Sequence, residues 1–280
     1  MELRPLTRSI GTEVIGVDVT KPISQSDFDR IYEAWIDTTI LLFRGQEMTP
    51  KQQVDFTRRF GEIASYTRQK FSEEQQPEIL VLSNIVKDGK QIGSPVSGRV
   101  WHTDGHYLEN PPAGSMLYAL QVPDHGGDTC FANMVVAYEA LPARVKAELD
   151  GKKIIISRLQ SRPYNYPNRA APTAAEVAEW VDMPQPMVRV HPESGRKALY
   201  VGGNVPWEIQ GMPKSKSAPL VTYVQEFSVR PEFTYRHKWC AGDVILWDNR
   251  SAMHKATPYD NTLYTRHMHR TTIGSEDIPH

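Results

Sequence analysis

The chain has 280 residues, of which 40% are hydrophobic and 23% are charged, and its 32 basic residues nearly balance its 33 acidic ones to give a formal net charge of −1. This composition excludes a disordered chain, because ordinary apolar content at low net charge can offset the entropy lost on folding. The basic residues form no block that could follow a phosphate backbone, so we expect no nucleic-acid partner.

The cysteines and the apolar runs indicate the cellular compartment of the protein. Cys130 and Cys240 cannot build a disulfide framework and form no CxxC pair. The N-terminal stretch lacks the continuous apolar segment of a signal peptide, and the longest apolar run, 40–43, is far shorter than the roughly 20 residues that cross a bilayer. We therefore expect a cytoplasmic protein that does not associate with membranes.

The first 60 residues predict two helices around one buried strand. The predicted elements are helices over 26–37 and 50–60 and a short apolar strand over 40–43. Ser26 and Asp27 supply an N-cap for the first helix, whose apolar residues recur at helical spacing. Thr49 and Gln52 form a capping box for the second helix.

From residue 78 onward the pattern is mainly β. Short β-prone runs bounded by turn residues lie at 78–84, 115–122, 187–191, 197–201, 243–248 and 265–273. Helical patterns interrupt them at 134–149 and 173–180. Many short strands with a few helices predict an antiparallel sandwich or barrel such as a jelly roll. Two long connections, 86–100 and 161–172, are candidate lid loops.

His102 and Asp104 are the first candidate ligands of a metal ion. They lie two residues apart in a stretch expected to be extended, where alternate side chains share a face, so the imidazole and the carboxylate could bind one ion. His-x-Asp is short, and a satisfied surface pair is the competing interpretation. His106 could compete as a ligand, although its spacing from His102 suits a helix better than a strand.

His254 is the best candidate for a third ligand. It follows the strand predicted over 243–248 and a turn, where a strand end can deliver a side chain into a barrel mouth. Two imidazoles and one carboxylate on one face of an octahedral ion form the facial triad of non-haem Fe(II) oxygenases, which leaves three positions open. A structural zinc site is instead closed by four protein ligands.

Two arginines and a glycine turn complete the set of candidate site residues. Arg266 and Arg270 lie four apart on a predicted strand and would share a face, so two guanidiniums could bind two carboxylate-like groups. A solvated strand face is the alternative interpretation. Gly126 and Gly127 predict a tight turn before a strand, where Thr129 offers a hydroxyl donor.

Several motifs share their order and spacing with a known family. They are WHTD at 101–104, GGDT at 126–129, WDNR at 247–250, His254 and RHMHR at 266–270, with FRGQ at 43–46 and AYEALP at 137–142. Together they resemble the taurine dioxygenase family of Fe(II)/2-oxoglutarate-dependent oxygenases. The resemblance implies a single domain over 1–280 that is mainly β with added helices, a double-stranded β-helix (jelly roll).

The resemblance also implies roles for individual residues. The implied ligands of Fe(II), to which 2-oxoglutarate would chelate, are His102, Asp104 and His254. Arg266 and Thr129 match the family's anchors for the distal carboxylate of 2-oxoglutarate, and Arg270 matches the arginine that holds the acidic group of the substrate. Trp247 matches an aromatic residue beside the iron. With dioxygen, the implied reaction yields succinate, carbon dioxide and a hydroxylated substrate, which loses a heteroatom if one is bonded to the hydroxylated carbon.

The sequence departs from the taurine enzyme where the family binds its substrate. Tyr66 stands at the approximate position of a histidine of the sulfonate pocket, and an asparagine contact upstream of His102 is missing. Taurine is therefore not the expected substrate. Gly105 and the aromatic residues Tyr66, Phe71 and Tyr107 permit a larger or aromatic substrate.

The expected function is hydroxylation of a small or medium anionic organic substrate, such as a sulfonate, an aryloxy acid or an amino-acid-like compound. We expect the enzyme to form a homo-oligomer. Two alternatives fit parts of the pattern. A zinc-type metallohydrolase could use the same three ligands, and a non-catalytic jelly-roll binding module would account for the strands and arginines without a metal.

Overall fold

The computed structural model describes residues 1–64, 71–95, 98–166 and 170–280. The strands in these ranges are β1 (Glu2–Pro5), β2 (Thr12–Ile15), β3 (Ile40–Phe43), β4 (Leu80–Ser83), β5 (Val86–Lys87), β6 (Lys90–Gln91), β7 (Gly114–Gln121), β8 (Thr129–Asn133), β9 (Lys153–Ile156), β10 (Met183–Pro186), β11 (Val188–Val190), β12 (Lys197–Leu199), β13 (Glu208–Ile209), β14 (Thr234–His237), β15 (Val244–Asp248), β16 (Ala252–Ala256) and β17 (His267–Ile273). The helices are α1 (Gln25–Thr38), α2 (Pro50–Arg58), α3 (Met134–Ala140), α4 (Ala143–Leu149), α5 (Arg158–Asn165), α6 (Ala174–Ala178) and α7 (Lys214–Ser228). Within the described ranges, no helix is both long enough and apolar enough to span a membrane.

Two sheets pack face to face and enclose the centre of the molecule. The larger sheet has the strand order β1-β2-β3-β15-β7-β17-β4, and the smaller one has the order β14-β8-β16. Their pairings are antiparallel except for that of β2 with β3. Phe131 of the smaller sheet shares one buried cluster with Leu117 and Ile245 of the larger sheet. This arrangement confirms the predicted double-stranded β-helix.

Strand β3 is apolar throughout because both of its faces are covered. Ile40 and Leu42 belong to the cluster between the two sheets, whereas Leu41 and Phe43 pack with residues of α1 and α2 on the outer face of the larger sheet. Side chains of a strand alternate between faces, so a strand buried on both sides has no polar position. The strand predicted over 40–43 is therefore confirmed with its bounds.

The N-terminal helices confirm the sequence prediction with one correction. The N-cap of α1 is Ser24, whose hydroxyl accepts a hydrogen bond from the Asp27 amide at 3.1 Å. Ser26 and Asp27 instead lie within the first turn, because Ser24 is the last residue with non-helical backbone angles before the helix. The capping box of Thr49 and Gln52 is present at α2.

The later helices differ more from the sequence prediction. The helical pattern over 134–149 is two helices, α3 and α4, which separate at Leu141 and Pro142 because proline cannot donate the hydrogen bond that would continue α3. Helix α7 was not predicted. Its polar start and its internal Pro219 hide the buried face on which Val221 and Val224 pack.

The two candidate lid connections contain regular structure where they are described. The segment 86–100 begins with a hairpin of β5 and β6, and the segment 161–172 begins inside α5. Neither is therefore a plain loop. Residues 96–97 and 167–169 of these connections lie outside the described residues.

A buried ionic cluster joins the larger sheet to the turn that leads into β16. The Asp248 carboxylate accepts hydrogen bonds from His191 Nε2 at 2.9 Å and from Arg250 Nη2 at 2.8 Å. Asp248 and His191 are fully buried, and Arg250 also meets Glu193. Burial alone would raise the pKa of Asp248, but Arg250 and His191 outweigh it and hold that pKa well below its ordinary value of 3.8.

We expect Asp248→Asn to lower the free energy of unfolding by about 3–5 kcal/mol at pH 7, because it removes the fully buried one of the two carboxylates that compensate the Arg250 guanidinium. Since the pKa of Asp248 is depressed in the folded state, its contribution is complete above about pH 4 and is lost as the pH falls towards the folded pKa. The loss measured by urea unfolding should therefore be smaller at pH 3 than at pH 7. Asp55→Asn, which removes an exposed carboxylate paired with Lys51, is the control and should change stability little. Equal effects of the two substitutions would contradict the prediction.

Candidate metal centre and its cavity

A backbone bridge brings His102 and His254 together. The amide of each residue donates to the carbonyl of the other, with N···O distances of 3.0 Å and 2.9 Å, and the ring centroids lie 4.2 Å apart. His254 lies in the middle of β16 and not beyond a strand end, which corrects the sequence expectation. The pairing of β16 with β8 therefore decides where this imidazole points.

Asp104 completes a group of three possible ligands. It lies in the turn after His102, and its Oδ1 is 3.7 Å from His102 Nε2. The donor atoms of the three side chains all lie within 4.8 Å of one another, and no other such group occurs among the residues that the structure describes. His106, the competing candidate, is buried against Tyr200 and is not part of the group.

The protonation of both imidazoles suits a metal ion. His102 Nδ1 lies 2.8 Å from the Val100 carbonyl, and donation to that oxygen leaves the lone pair on Nε2. Burial, and then the neighbouring His102, lower the pKa of His254 to about 3, so this ring is neutral at physiological pH. His254 Nδ1 is buried and has no hydrogen-bond partner among the described residues. Two imidazoles and a carboxylate with open positions beside them fit Fe(II).

Asp104 remains ionised because cationic and polar neighbours surround it. Arg270 Nη1 lies 3.2 Å and 3.3 Å from its two carboxylate oxygens, and Ser115 Oγ donates to Oδ2 at 2.9 Å. Burial by itself would raise the pKa of Asp104, but Arg270, the two histidines and Ser115 hold it well below its ordinary value. The carboxylate can therefore bind a cation without first losing a proton.

A buried chain of hydrogen bonds orients this carboxylate. Ser115 Oγ, which donates to Asp104, accepts a hydrogen bond from Asn249 Nδ2 at 3.3 Å. Asn249 Oδ1 in turn accepts one from Trp247 Nε1 at 2.9 Å. The Trp247 ring also packs against His254, with centroids 4.7 Å apart. One tryptophan thus supports two of the three candidate ligands.

Arg266 and Thr129 lie on another part of the same cavity wall. Arg266 precedes β17 instead of lying in it, and the register of the strand shifts between His267 and Met268, which corrects the expectation of one regular strand over 265–273. Arg266 Nε is buried and has no partner among the described residues. Burial lowers the pKa of this guanidinium to about 10, so it stays charged at neutral pH.

The Thr129 hydroxyl is held as a hydrogen-bond acceptor, and within the described ranges no acceptor takes its proton. Its Oγ1 accepts a hydrogen bond from Trp239 Nε1 at 3.0 Å, which leaves the hydroxyl able to donate towards the cavity. The preceding turn needs glycine, since Gly127 has φ +67° and an added Cβ would lie 2.8 Å from Pro123 Cγ. The same Cβ position is 3.5 Å from Arg266 Cδ, so the turn also packs beside the arginine.

The candidate ligands and the groups assigned to the organic substrates line one cavity of about 290 Å³ between the two sheets. Its wall includes both sequence-predicted arginines, Thr129 and the three candidate ligands. Gly105 also lines it, with φ +66°, and an added Cβ would lie 2.4 Å from Pro112 Cδ. Tyr66 lies outside the described residues.

Sequence reasoning missed the residues that support the ligands and the rim of the cavity. Asn249 is part of the WDNR motif, but nothing in the motif shows what its amide contacts. Ser115 and Trp239 carry no motif at all, and Arg158, which lines the cavity from α5, lies in a segment without a chemical signature. The register of β7 beside β15 is what places Ser115, and it is not visible in the sequence.

A jelly roll with two imidazoles, one carboxylate and a cationic cavity defines the class of Fe(II)- and 2-oxoglutarate-dependent dioxygenases. A family model described as taurine catabolism dioxygenase TauD, TfdA family matches residues 2–272. The chain belongs to this family. It is an oxidoreductase that uses Fe(II), 2-oxoglutarate and dioxygen, which confirms the predicted reaction class over the metallohydrolase and the binding module.

Individual relatives cover nearly the whole chain. It is 30% identical to an alpha-ketoglutarate-dependent 2,4-dichlorophenoxyacetate dioxygenase from Cupriavidus pinatubonensis over 96% of each chain. It is 31% identical to an alkylsulfatase from Acinetobacter baylyi over 99% of this chain and 86% of that one. Among solved structures, AAD-2 in complex with Mn(II) and N-oxalylglycine gives a TM-score of 0.86 at 29% identity over 99% of each chain. A taurine dioxygenase from Burkholderia xenovorans gives 0.79 at 32% identity over 99% and 92%.

We expect Ser115→Ala to weaken Fe(II) binding by about 10-fold or more, because loss of an outer hydrogen bond frees the Asp104 carboxylate to rotate. Anaerobic calorimetric titration with Fe(II) measures the Kd. Asn249→Ala should act through the same hydroxyl. The double variant should therefore lose less free energy of Fe(II) binding than the sum of the losses in the two single variants. Ser228→Ala, which removes another buried hydroxyl far along the chain in α7, serves as the control. An unchanged Kd in a folded Ser115→Ala protein would refute the positioning role.

Proposed function

We propose that the three clustered side chains are the iron ligands of this dioxygenase. We also propose that Arg266 and Arg270 bind different organic substrates. The proposed Fe(II) ligands are His102, Asp104 and His254. Arg266 and Thr129 would bind the distal carboxylate of 2-oxoglutarate, and Arg270 the acidic group of the primary substrate. The observation that carries this proposal is the group of two imidazoles and a carboxylate in the wall of a cavity that also holds a largely buried arginine with no acidic partner among the described residues.

Bound Fe(II) supplies the redox chemistry, which couples oxidative decarboxylation of 2-oxoglutarate by dioxygen to hydroxylation of a substrate C–H bond. The protein supplies binding and orientation. Asp104 presents an ionised carboxylate at neutral pH because Arg270 and Ser115 favour that form. His102 is held in one tautomer by the Val100 carbonyl, so its Nε2 carries the lone pair that would bind the ion.

The site for 2-oxoglutarate follows from the charge of Arg266, which no carboxylate in the described ranges pairs with. Burying a guanidinium without a counter-ion is costly, and a dicarboxylate that enters the cavity would supply one. Thr129 can add a hydrogen bond from its free hydroxyl, as Trp239 occupies its acceptor side. Leu82 and Leu117 line the cavity as well and offer apolar contacts for the methylene groups of the co-substrate.

The class of primary substrate follows from Arg270 and from the names of the relatives. Named relatives act on 2,4-dichlorophenoxyacetate, (S)-phenoxypropionate and sulfate esters, all of which are anions. Arg270 Nε is buried without a partner among the described residues, so this guanidinium can meet a second anion while it contacts Asp104. A small or medium sulfonate, aryloxy acid or amino-acid-like compound fits, with Gly105 and Tyr66 as further substrate contacts.

We also propose that residues 1–280 form one domain that works in the cytoplasm as a homo-oligomer. The single domain is supported by the larger sheet, which combines β1 and β17 from opposite ends of the chain. Cys130 and Cys240 are both free thiols, which suits a reducing compartment that keeps iron ferrous.

We expect anaerobically purified protein with Fe(II) and 2-oxoglutarate to show a visible charge-transfer band and, on admission of air, to form succinate. A panel of sulfonates, aryloxy acids and amino-acid derivatives then reports the substrate by its product mass. His102→Ala should abolish both the band and iron-dependent succinate formation, because the ion loses one of three ligands. His125→Ala, which removes a histidine that does not line the cavity, is the control. A protein that is active only with zinc, and that shows no charge-transfer band with Fe(II) and 2-oxoglutarate, would contradict the proposal.

We expect substitutions of Arg266 and Arg270 to have different effects on the steady-state kinetics. Arg266→Gln should raise the KM for 2-oxoglutarate by about 10- to 100-fold, because a charged hydrogen-bond partner of a carboxylate is lost. Arg270→Gln should mainly weaken binding of the primary substrate and leave uncoupled turnover of 2-oxoglutarate measurable. Steady-state succinate assays with and without substrate give both values. The opposite pattern would show that the roles of the two arginines are exchanged.

A further inference from the structure

The cavity carries more positive charge than the co-substrate and one acidic group require. Four arginines line it, whereas Asp104 is the one acidic side chain among its described lining residues. A divalent iron and a doubly charged 2-oxoglutarate cancel each other, so three positive charges remain. A substrate with one acidic group would neutralise one of them.

The arginines are not equivalent in position. Arg99 shares a second, smaller cavity with Arg266 and Tyr259, so it belongs to the region assigned to 2-oxoglutarate. Arg270 lies beside Asp104 at the candidate metal centre. Arg158 is the fourth arginine, and it enters the cavity wall from α5, which belongs to neither of the two sheets.

Arg158 packs against aromatic rings and lacks an acidic partner among the residues that the structure describes. Its guanidinium carbon lies 4.8 Å from the centroid of the Tyr107 ring and 4.9 Å from that of Trp180. No carboxylate among the described residues forms an ion pair with it. Stacking uses the face of a guanidinium and leaves its N–H donors free at the edge, where a carboxylate or a sulfonate can accept two of them.

The residues that line the cavity around Arg158 indicate the chemical character of a ligand that would reach this arginine. Ser161 and Asn165 lie on the same face of α5 and line the cavity with polar groups beside the arginine. Ile156, Val205 and Trp207 also line the cavity, so its wall includes large apolar side chains as well as the charged groups. A ligand that spans the cavity therefore needs an apolar body.

We propose that Arg158 forms an anion subsite that binds a second acidic group of the primary substrate, so that preferred substrates carry two acidic groups joined by an apolar or aromatic body. This inference rests on the proposed function for the other end of the substrate, where Arg270 takes the first acidic group. The aromatic contacts of Arg158 orient it before binding, which lowers the entropy lost when the anion is held.

The test compares matched acids that differ in one charge. The probes are phenoxyacetate with 4-carboxyphenoxyacetate and hexanesulfonate with 6-sulfohexanoate, titrated calorimetrically and anaerobically into the Fe(II)- and 2-oxoglutarate-loaded enzyme. Wild-type protein should bind each dianionic probe about 10-fold more tightly than its monoanionic partner. Arg158→Gln should bring this ratio close to one and leave the affinity for 2-oxoglutarate unchanged, and Arg158→Lys should restore part of the preference.

Arg162→Gln is the matched control. Arg162 lies one turn along α5 and also packs on Trp180, at 5.7 Å, but it donates to the Ala170 carbonyl and does not line the cavity. This variant should keep the full preference for dianionic probes.

Two results would overturn the inference. One is failure of the dianionic probes to bind more tightly than their partners in wild-type protein. The other is a uniform weakening of all four probes in Arg158→Gln, which would mean long-range attraction instead of a subsite. The charge-transfer band and succinate formation are measured on the same samples, so a failure of the proposed function shows there, whereas a failure of the subsite shows only in the affinity ratios.

Discussion

The pair of backbone hydrogen bonds between His102 and His254 is the constraint on which the site depends. It attaches the loop that carries Asp104 to the edge of β16 that faces away from β8, and the pairing of β16 with β8 holds that strand within the smaller sheet. Because the bonds join main-chain atoms, they hold the two backbones side by side, and the two imidazoles start from adjacent positions on the same wall. The carboxylate then needs only a short turn to reach the same point.

Charge is distributed in the interior according to function. The ion pair of Asp248 with Arg250 balances itself, which is the arrangement expected of a structural cluster. The cavity is not balanced, since its arginines outnumber its single described carboxylate. A chain with a net charge of −1 thus contains a cationic compartment, and the imbalance is tolerable because the ligands that enter are anions.

Much of the architecture could be predicted because its signals are local. The capping box of Thr49 and Gln52 and the apolar run 40–43 report interactions within a few residues or burial on both faces, and both predictions are confirmed. Helix α7 could not be predicted, since its Pro219 and polar start argue against a helix and only packing of Val221 and Val224 stabilises it. The position of His254 within β16 was missed for a related reason, as strand pairing overrode an unremarkable local pattern.

The sequence by itself determined the inventory of chemical groups: two imidazoles, a carboxylate and two arginines in motifs whose order identified the family. Only the tertiary structure decided that the imidazole and carboxylate donors lie within 4.8 Å of one another, that Ser115 and Asn249 orient Asp104, and that Arg158 enters the same cavity from a distant helix. The physical reason is the distance along the chain over which each kind of interaction acts. Residue types and turn signals act over a few positions, whereas the convergence of side chains depends on pairing and packing between segments that are far apart in the chain.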